Sequence, residues 1–478
     1  MNAQTTSKVL FALSLSITKL CAAETTQLNT HETNKLTPVQ QLGKEIFFDE
    51  NLSSPRGQSC AGCHDPKAAF ADAGLSAPVS SGAVEGQTGT RNAPPAGYAA
   101  FSPVFHFDNE ESLYFGGQFW DGRAANLTEQ AKKPFLNADE MNNRNEAEVV
   151  DKLRIASYTG LFKQVYGLDV LNNTDQAFQA VAEALAAFES TPVFNRFSSK
   201  YDYFLAGQVE LTEQERKGLD LFNDANKGNC AACHPSTSDS KQPPLFTDFS
   251  YDNLGTPKNP AILAKKGQDF IDLGLGAIVN NVNENGKFKV PTLRNIAKTA
   301  PYMHNGVFQT LREAVDFYNT RDTDSKWGVP EVAENVNKDE LGNLNLSSDE
   351  VDAIVAFLRT LSDGYHPETT AHFTTGTGLL TLPLISIESN AAKTVMASAV
   401  LKEMEGTKPS RYKLVSWQES KVAVPSDAGA VPHFSSDNGM LEIPLVNVDG
   451  EADFTAQLKR ISGNNDNIFE LVYLKPLQ

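Results

Sequence analysis

Apolar residues recur at helical spacing through most of the chain and alternate with polar ones near its end. Residues 42–48 (LGKEIFF) predict a short helix. A Gly/Ser-rich stretch over 71–97 predicts little helix. Helical spacing returns over 127–133, 147–155 and 175–190, the last with an alanine- and phenylalanine-rich face. Residues 211–222 and 311–318 follow. The helix expected over 348–361 opens on a capping box, Ser347 with Glu350, and Val351, Ile354, Val355 and Leu358 mark its apolar face.

The pattern changes near Gly364. Residues 366–378 are Thr/Gly-rich and read as a linker. Short alternating runs then occupy 379–387, 412–417, 440–448, 454–461 and 469–474. Turn signals at Asp437-Asn438-Gly439, Asp449-Gly450 and Gly463-Asn464-Asn465 separate several of them. This pattern predicts a small antiparallel β domain of sandwich type. Upstream, the Leu-Gly-Lys-x-x-Phe-Phe of 42–48 is echoed by Lys-Gly-Leu-x-Leu-Phe at 217–222. The echo predicts two related domains.

At 478 residues, the chain is long enough for about three domains. Its 41 basic and 59 acidic residues give a net charge of −18, which opposes nucleic-acid binding. An acidic surface suits a basic partner such as a small cytochrome; it is equally a solvated surface. Residues 1–23 read as a weak secretory signal, with Lys8, an apolar run over 9–17, and Cys21-Ala22-Ala23 for cleavage. Lys19 is awkward there. Cys21 raises lipidation, although Leu20 before it fits poorly. No later run reaches about 18 apolar residues, so no membrane span is expected.

The cysteines carry the chemistry. Of five, four form Cys60-Ala61-Gly62-Cys63-His64 and Cys230-Ala231-Ala232-Cys233-His234, and the fifth is Cys21. Cys-x-x-Cys-His is the c-type haem attachment signal: two thiols become thioethers and the adjacent His reaches the iron. A Cys₄ zinc site is the alternative. Against it, a His follows each pair directly, and the two histidines lie 170 positions apart (234 − 64). Two haem c groups are therefore expected. Such haem is attached outside the cytoplasm, which agrees with the signal and points to the periplasm.

Residues 40–362 resemble the bacterial di-haem cytochrome c peroxidase and MauG family. The strings LGKEIFFDENLS, GGQFWDGRAANLTEQAKKPFLNADEM (116–141) and VPTLRNIAKTAPYMHNGVFQTLREAVDFY (290–318) carry the resemblance. The expected fold class is mainly α: two cytochrome c-type haem domains (36–205 and 206–363), a linker (364–378) and the β domain (379–478). The resemblance implies a distal pocket of Gln130, Pro134 and Glu140 over the first haem. A carboxyl beside an open iron suits the proton transfer that peroxide cleavage needs. Trp120 matches the tryptophan between the haems; a large core aromatic is the plainer reading.

The far ligand of the second haem is usually Met in the peroxidases and Tyr in MauG. The matching residue here is Tyr318, with Met303 as rival and His304 as a further candidate. Many of the peroxidases hold a blocking His about 16 positions past the first motif. Position 80 is Ser, and no His lies between His64 and His106. The first haem is thus expected to be high-spin and open. The family's calcium site maps onto Asn92, Thr299 and Pro301, oxygen ligands suited to a hard cation.

These expectations describe a periplasmic oxidoreductase in which hydrogen peroxide drives MauG-like oxidation of a partner protein through high-valent haem. A cytochrome c peroxidase fed by a small cytochrome or copper protein is the alternative. A non-catalytic di-haem electron carrier is a third reading, and it would need both irons six-coordinate. The β domain is expected to dock or stabilise; its Trp417 is either core or a tethered oxidation target.

Overall fold

The computed structural model describes residues 35–72, 77–238, 242–365, 370–389, 393–419, 431–435, 438–448, 452–461 and 468–476. The expected signal over 1–23, with Cys21, lies outside these residues. The helices that position the site are α1 (Pro38–Phe47), α2 (Leu127–Leu136), α3 (Thr174–Glu189), α4 (Glu213–Asn223), α5 (Leu311–Thr320) and α6 (Ser348–Arg359). Their starts are locally encoded. Asn126, Asn173 and Thr310 accept from the backbone N–H three residues on. Thr212 with Glu215 and Ser347 with Glu350 complete capping boxes.

The echoed motifs mark two equivalent helix crossings. A Cβ on Gly43 of α1 would collide with the Ala184 carbonyl of α3 and sit 2.8 Å from Phe188 Cβ. A Cβ on Gly218 of α4 would meet the Ala353 carbonyl of α6 and sit 2.8 Å from Phe357 Cβ. One turn on, Phe47 packs edge-on to Phe188, with ring centroids 5.6 Å apart, and Phe222 packs likewise on Phe357 at 5.2 Å. Both glycines thus let backbones touch, and both phenylalanines fill the wedge beside the contact.

One polar cluster around Tyr98 ties the segment before residue 200 to the one after it. Arg294, 1% exposed, makes a bidentate pair with Asp202 at 2.7 and 2.9 Å. Its guanidinium lies 5.3 Å from the Tyr98 ring centroid and 4.7 Å from that of Phe197. The Tyr98 hydroxyl donates to Asp363 at 2.8 Å.

From Ala371 the chain forms strands β1 (Ala371–Thr374), β2 (Leu379–Ser389), β3 (Lys393–Met404), β4 (Arg411–Glu419), β5 (His433–Ser435), β6 (Met440–Val448), β7 (Ala452–Arg460) and β8 (Ile468–Pro476). The pairing order β1-β2-β3-β4-β8-β7-β6 returns to β1, so the sheet closes on itself. The expected antiparallel sandwich is instead a barrel, and two of its pairings, β1 with β6 and β2 with β5, are parallel. Closure removes the edges that a sandwich leaves open. Leu382, Ile385, Leu401, Ile443 and Leu458 fill its interior.

Three further expectations change. A mainly α fold overstates the helices, because long irregular stretches separate them and the barrel follows. The expected linker contains β1, so Ala371 is fully buried rather than loose. Trp417 is 56% exposed, so it is not a core residue.

Gly218→Ala should destabilise the holoprotein by roughly 2–3 kcal/mol, because backbone cannot retreat as a side chain can. Thermal unfolding followed at the haem absorbance checks this; an unchanged midpoint would refute the close crossing.

Candidate functional site

Each Cys-x-x-Cys-His run opens onto its own cavity. The first, of about 400 Å³, is lined by Cys60, Cys63, His64, Gln130, Pro134 and Glu140. The second, of about 180 Å³, is lined by Cys230, Cys233, His234, Met303, His304 and Tyr318. All four cysteines are free thiols. Burial pushes Cys63 up to about 11 and Cys230 and Cys233 up to about 12. They are therefore neutral thiols. Their separation into two cavities removes the Cys₄ alternative. Among the described residues no group of three or more His, Cys, Asp or Glu could hold a metal ion.

Both histidines are held the same way. His64 Nδ1 faces the Phe70 carbonyl at 3.0 Å, and His234 Nδ1 faces the Phe246 carbonyl at 2.8 Å. Phe70 and Phe246 both take left-handed backbone, with φ of 63° and 55°, which turns each carbonyl inward. Phe70 packs on Phe47 of α1 and Phe246 on Phe222 of α4. Nδ1 thus donates to the carbonyl and Nε2 keeps its lone pair for a metal. Burial lowers both imidazoles below their ordinary value, which favours the neutral, ligating form.

The expected distal residues meet at cavity 1. Gln130 and Pro134 lie four apart on α2, so they share a face. Pro134 has no N–H, which frees the Gln130 carbonyl from its helical bond. Glu140 follows in a turn where its carboxylate accepts from Asn137 Nδ2 at 2.7 Å. Burial raises the Glu140 carboxyl above its ordinary range. Gly82 lets the neighbouring loop touch the Asp139 and Glu140 carbonyls. That loop carries Ser80, whose Oγ is buried without a hydrogen-bond partner. An orphaned hydroxyl on this wall fits a cavity built around a bound group.

Trp120 and Asn92 line both cavities. The indole Nε1 donates to the Asn92 carbonyl at 2.9 Å. Asn92 Nδ2 in turn donates to the Pro301 carbonyl at 3.1 Å, so two of the three expected calcium residues touch. Thr299 is buried beside them and also lines cavity 2. Tyr318 on α5 faces cavity 2 and, among the described residues, its hydroxyl has no hydrogen-bond partner. Burial raises the metal-free phenol. Coordination to iron would release its proton.

Several groups at the site were not expected. Arg91 bridges Asp121 and Asp272, each at 2.6 Å, and Arg123 also reaches Asp121 at 2.9 Å. Lys289 lines both cavities, donates to the Gly117 carbonyl at 2.6 Å, and is pushed down to about 7 by burial. Arg91 and Arg123 are matched by Asp121 and Asp272, while Lys289, half-charged near neutral pH, would gain charge beside an anionic group such as a haem carboxylate. Glu189 at the end of α3 lines cavity 1, is 7% exposed, and is pushed up to about 8 by burial. Its signal was in the sequence: it stands in register with Phe178, Val181 and Leu185 on the apolar face.

The chain is similar to di-haem proteins. The family described as di-haem cytochrome c peroxidase matches residues 38–210. Methylamine utilization protein MauG of Paracoccus denitrificans is 42% identical over 346 residues, covering 67% of this chain and 88% of that one. Cytochrome c551 peroxidase of Pseudomonas aeruginosa is 32% identical over 329 residues, covering 68% and 78%. The diheme peroxidase BthA from Burkholderia thailandensis superposes with a TM-score of 0.63 at 36% identity, over 70% of this chain and 88% of that one.

A buried carboxyl with a raised pKa favours the folded state only while it is protonated. Wild-type holoprotein should therefore lose a few kcal/mol of stability relative to Glu189→Gln as pH rises from about 4.5 to about 8. Paired denaturant titrations across that window check the sign; parallel curves would refute it.

Proposed function

This chain belongs to the di-haem cytochrome c peroxidase and MauG family, and we propose that it uses hydrogen peroxide to oxidise a partner protein in the MauG manner. The observation that carries the reading is the contrast between the cavities. Cavity 2 pairs His234 with the unpartnered phenol of Tyr318, whereas cavity 1 is the roomier, 400 against 180 Å³, and carries Gln130 and Glu140. The phenol supports a second protein ligand in cavity 2, and the polar pair supports a peroxide site in cavity 1.

Cys60 with Cys63, and Cys230 with Cys233, would hold two haem c groups through thioethers, with His64 and His234 as iron ligands. The haems supply iron that accepts oxidising equivalents from peroxide. The chain's own residues then do the following. Glu140 carries a proton from one peroxide oxygen to the other, and its raised pKa suits an acid that must give a proton up. Gln130 orients peroxide or water, and Pro134 shapes the wall beside it. Trp120, between the cavities, relays an oxidising equivalent. Lys289 and Arg123 would meet carboxylates of the haems. A calcium ion would sit on the carbonyls of Thr299 and Pro301, with the Asn92 amide turned to present its oxygen.

A cytochrome c peroxidase is the second reading. There a small cytochrome or copper protein supplies the electrons, and the net charge of −18 favours such a basic donor. The family assignment makes the chain an oxidoreductase and leaves the pure electron carrier without support. We place it in the periplasm, where covalent haem is attached. Among the described residues no helix is long and apolar enough to cross a membrane.

Glu140→Gln should slow the reaction of ferric holoprotein with peroxide by about 10²- to 10⁴-fold. Stopped-flow absorbance reads it, and an unchanged rate would exclude Glu140 as the acid. Tyr318→Met should change the optical and magnetic spectra of the second haem while the first keeps its own; unchanged spectra would remove Tyr318 as a ligand.

A further inference from the structure

A two-stranded hairpin stands out beside the Trp120 loop. His106–Asp108 pairs antiparallel with Leu113–Phe115. It exposes unusually apolar residues: Val104 at 59%, Phe107 at 44% and Leu113 at 37%. Its tip reads Asp108-Asn109-Glu110-Glu111. Asp108 Oδ1 is used by the backbone N–H of Glu110 and Glu111, which fixes the turn. The Glu110 and Glu111 side chains point to solvent, and neither has a cationic partner among the described residues. An apolar patch rimmed by unpaired charge of one sign is the composition of a transient interface.

Behind this surface the aromatic rings run inward without a gap. Phe107 packs on Tyr114 at 4.8 Å between centroids, and Tyr114 stacks on Phe105 at 5.5 Å and 9°. Phe105 meets Tyr251 edge-on at 6.1 Å. The Trp120 loop closes onto this pair: Gly122, two residues on, has φ +72° and no room for a Cβ between the Phe105 edge and the Tyr251 hydroxyl. Tyr251 also pairs in register with Lys289, whose N–H donates to the Trp120 carbonyl at 2.8 Å. The stack thus runs from solvent to the wall that both cavities share.

We infer that this hairpin is the docking surface for a small redox protein with a basic face, and that electrons enter through the Tyr114–Phe105–Tyr251 stack toward Trp120. The inference rests on the peroxide chemistry that both readings above share, and on the electron supply of the second, peroxidase reading. Two partner molecules, or one partner twice, each give one electron and are oxidised. With two protons from solvent, those electrons convert one hydrogen peroxide to two waters. Charge complementarity selects the partner: the acidic tip attracts lysines, and the apolar flanks exclude water once the faces meet.

The probe is mitochondrial cytochrome c, a lysine-rich haem protein, titrated in its ferric form against holoprotein at low ionic strength without peroxide. Glu111→Lys should weaken binding about fivefold, and so should Glu110→Lys, with the difference vanishing at high salt. Glu183→Lys, which makes the same charge change on the exposed side of α3, should have little effect. Equal effects from all three, or none, would overturn the docking surface. For the path, Tyr114→Leu should leave binding intact and slow single-turnover oxidation of ferrous cytochrome c by peroxide-treated holoprotein several-fold. An unchanged rate would overturn the path. Binding is read without peroxide, so failure of the peroxide chemistry would sink the functional reading and leave the docking result standing.

Discussion

Backbone touching backbone at a glycine is the contact on which each haem-binding segment depends. At Gly43 and at Gly218 two helices approach so closely that a methyl group has no place. The phenylalanine one turn later, Phe47 or Phe222, is thereby fixed against its partner helix. It in turn supports Phe70 or Phe246, whose carbonyl holds the histidine Nδ1. The chain of support thus runs from a missing side chain to a histidine whose Nε2 is left free. Its occurrence twice, in matching detail, explains the echo between 42–48 and 217–222 better than shared composition does.

The two cavities have a common wall rather than separate surroundings. Trp120, Asn92 and Lys289 border both. Asp121, next to Trp120, is clamped by Arg91 and Arg123, and Arg91 continues to Asp272. This buried network fixes the electrostatic field at the indole. Lys289 lies in the same wall, where burial lowers its ammonium to about 7.

What was legible in the sequence was local. The capping box at Ser347 and Glu350, the apolar faces of α3 and α6, and the Cys-x-x-Cys-His spacing each lie within a few residues, and each was found; the caps at Asn126, Asn173, Thr212 and Thr310 were not. The strand Lys393–Met404 was missed because KTVMASAVLKEM has a helix former's composition; its place between two barrel strands overrides that preference. Barrel closure was missed because β1 pairs with β6 across about seventy intervening residues, a distance no turn signal spans. The Arg91–Asp272 pair is likewise long-range. Glu189 was hidden differently: the apolar register around it implies burial, but that reading was not drawn from the sequence, and it says nothing of why an acid should be there.

The central claim is that the two irons have different surroundings, one open beside Gln130 and Glu140, the other closed between His234 and Tyr318. Electron paramagnetic resonance of the ferric holoprotein, before and after one equivalent of hydrogen peroxide, tests it most directly. The account predicts one high-spin and one low-spin signal, both diminished by peroxide and then slowly restored. Two low-spin signals untouched by peroxide would contradict it.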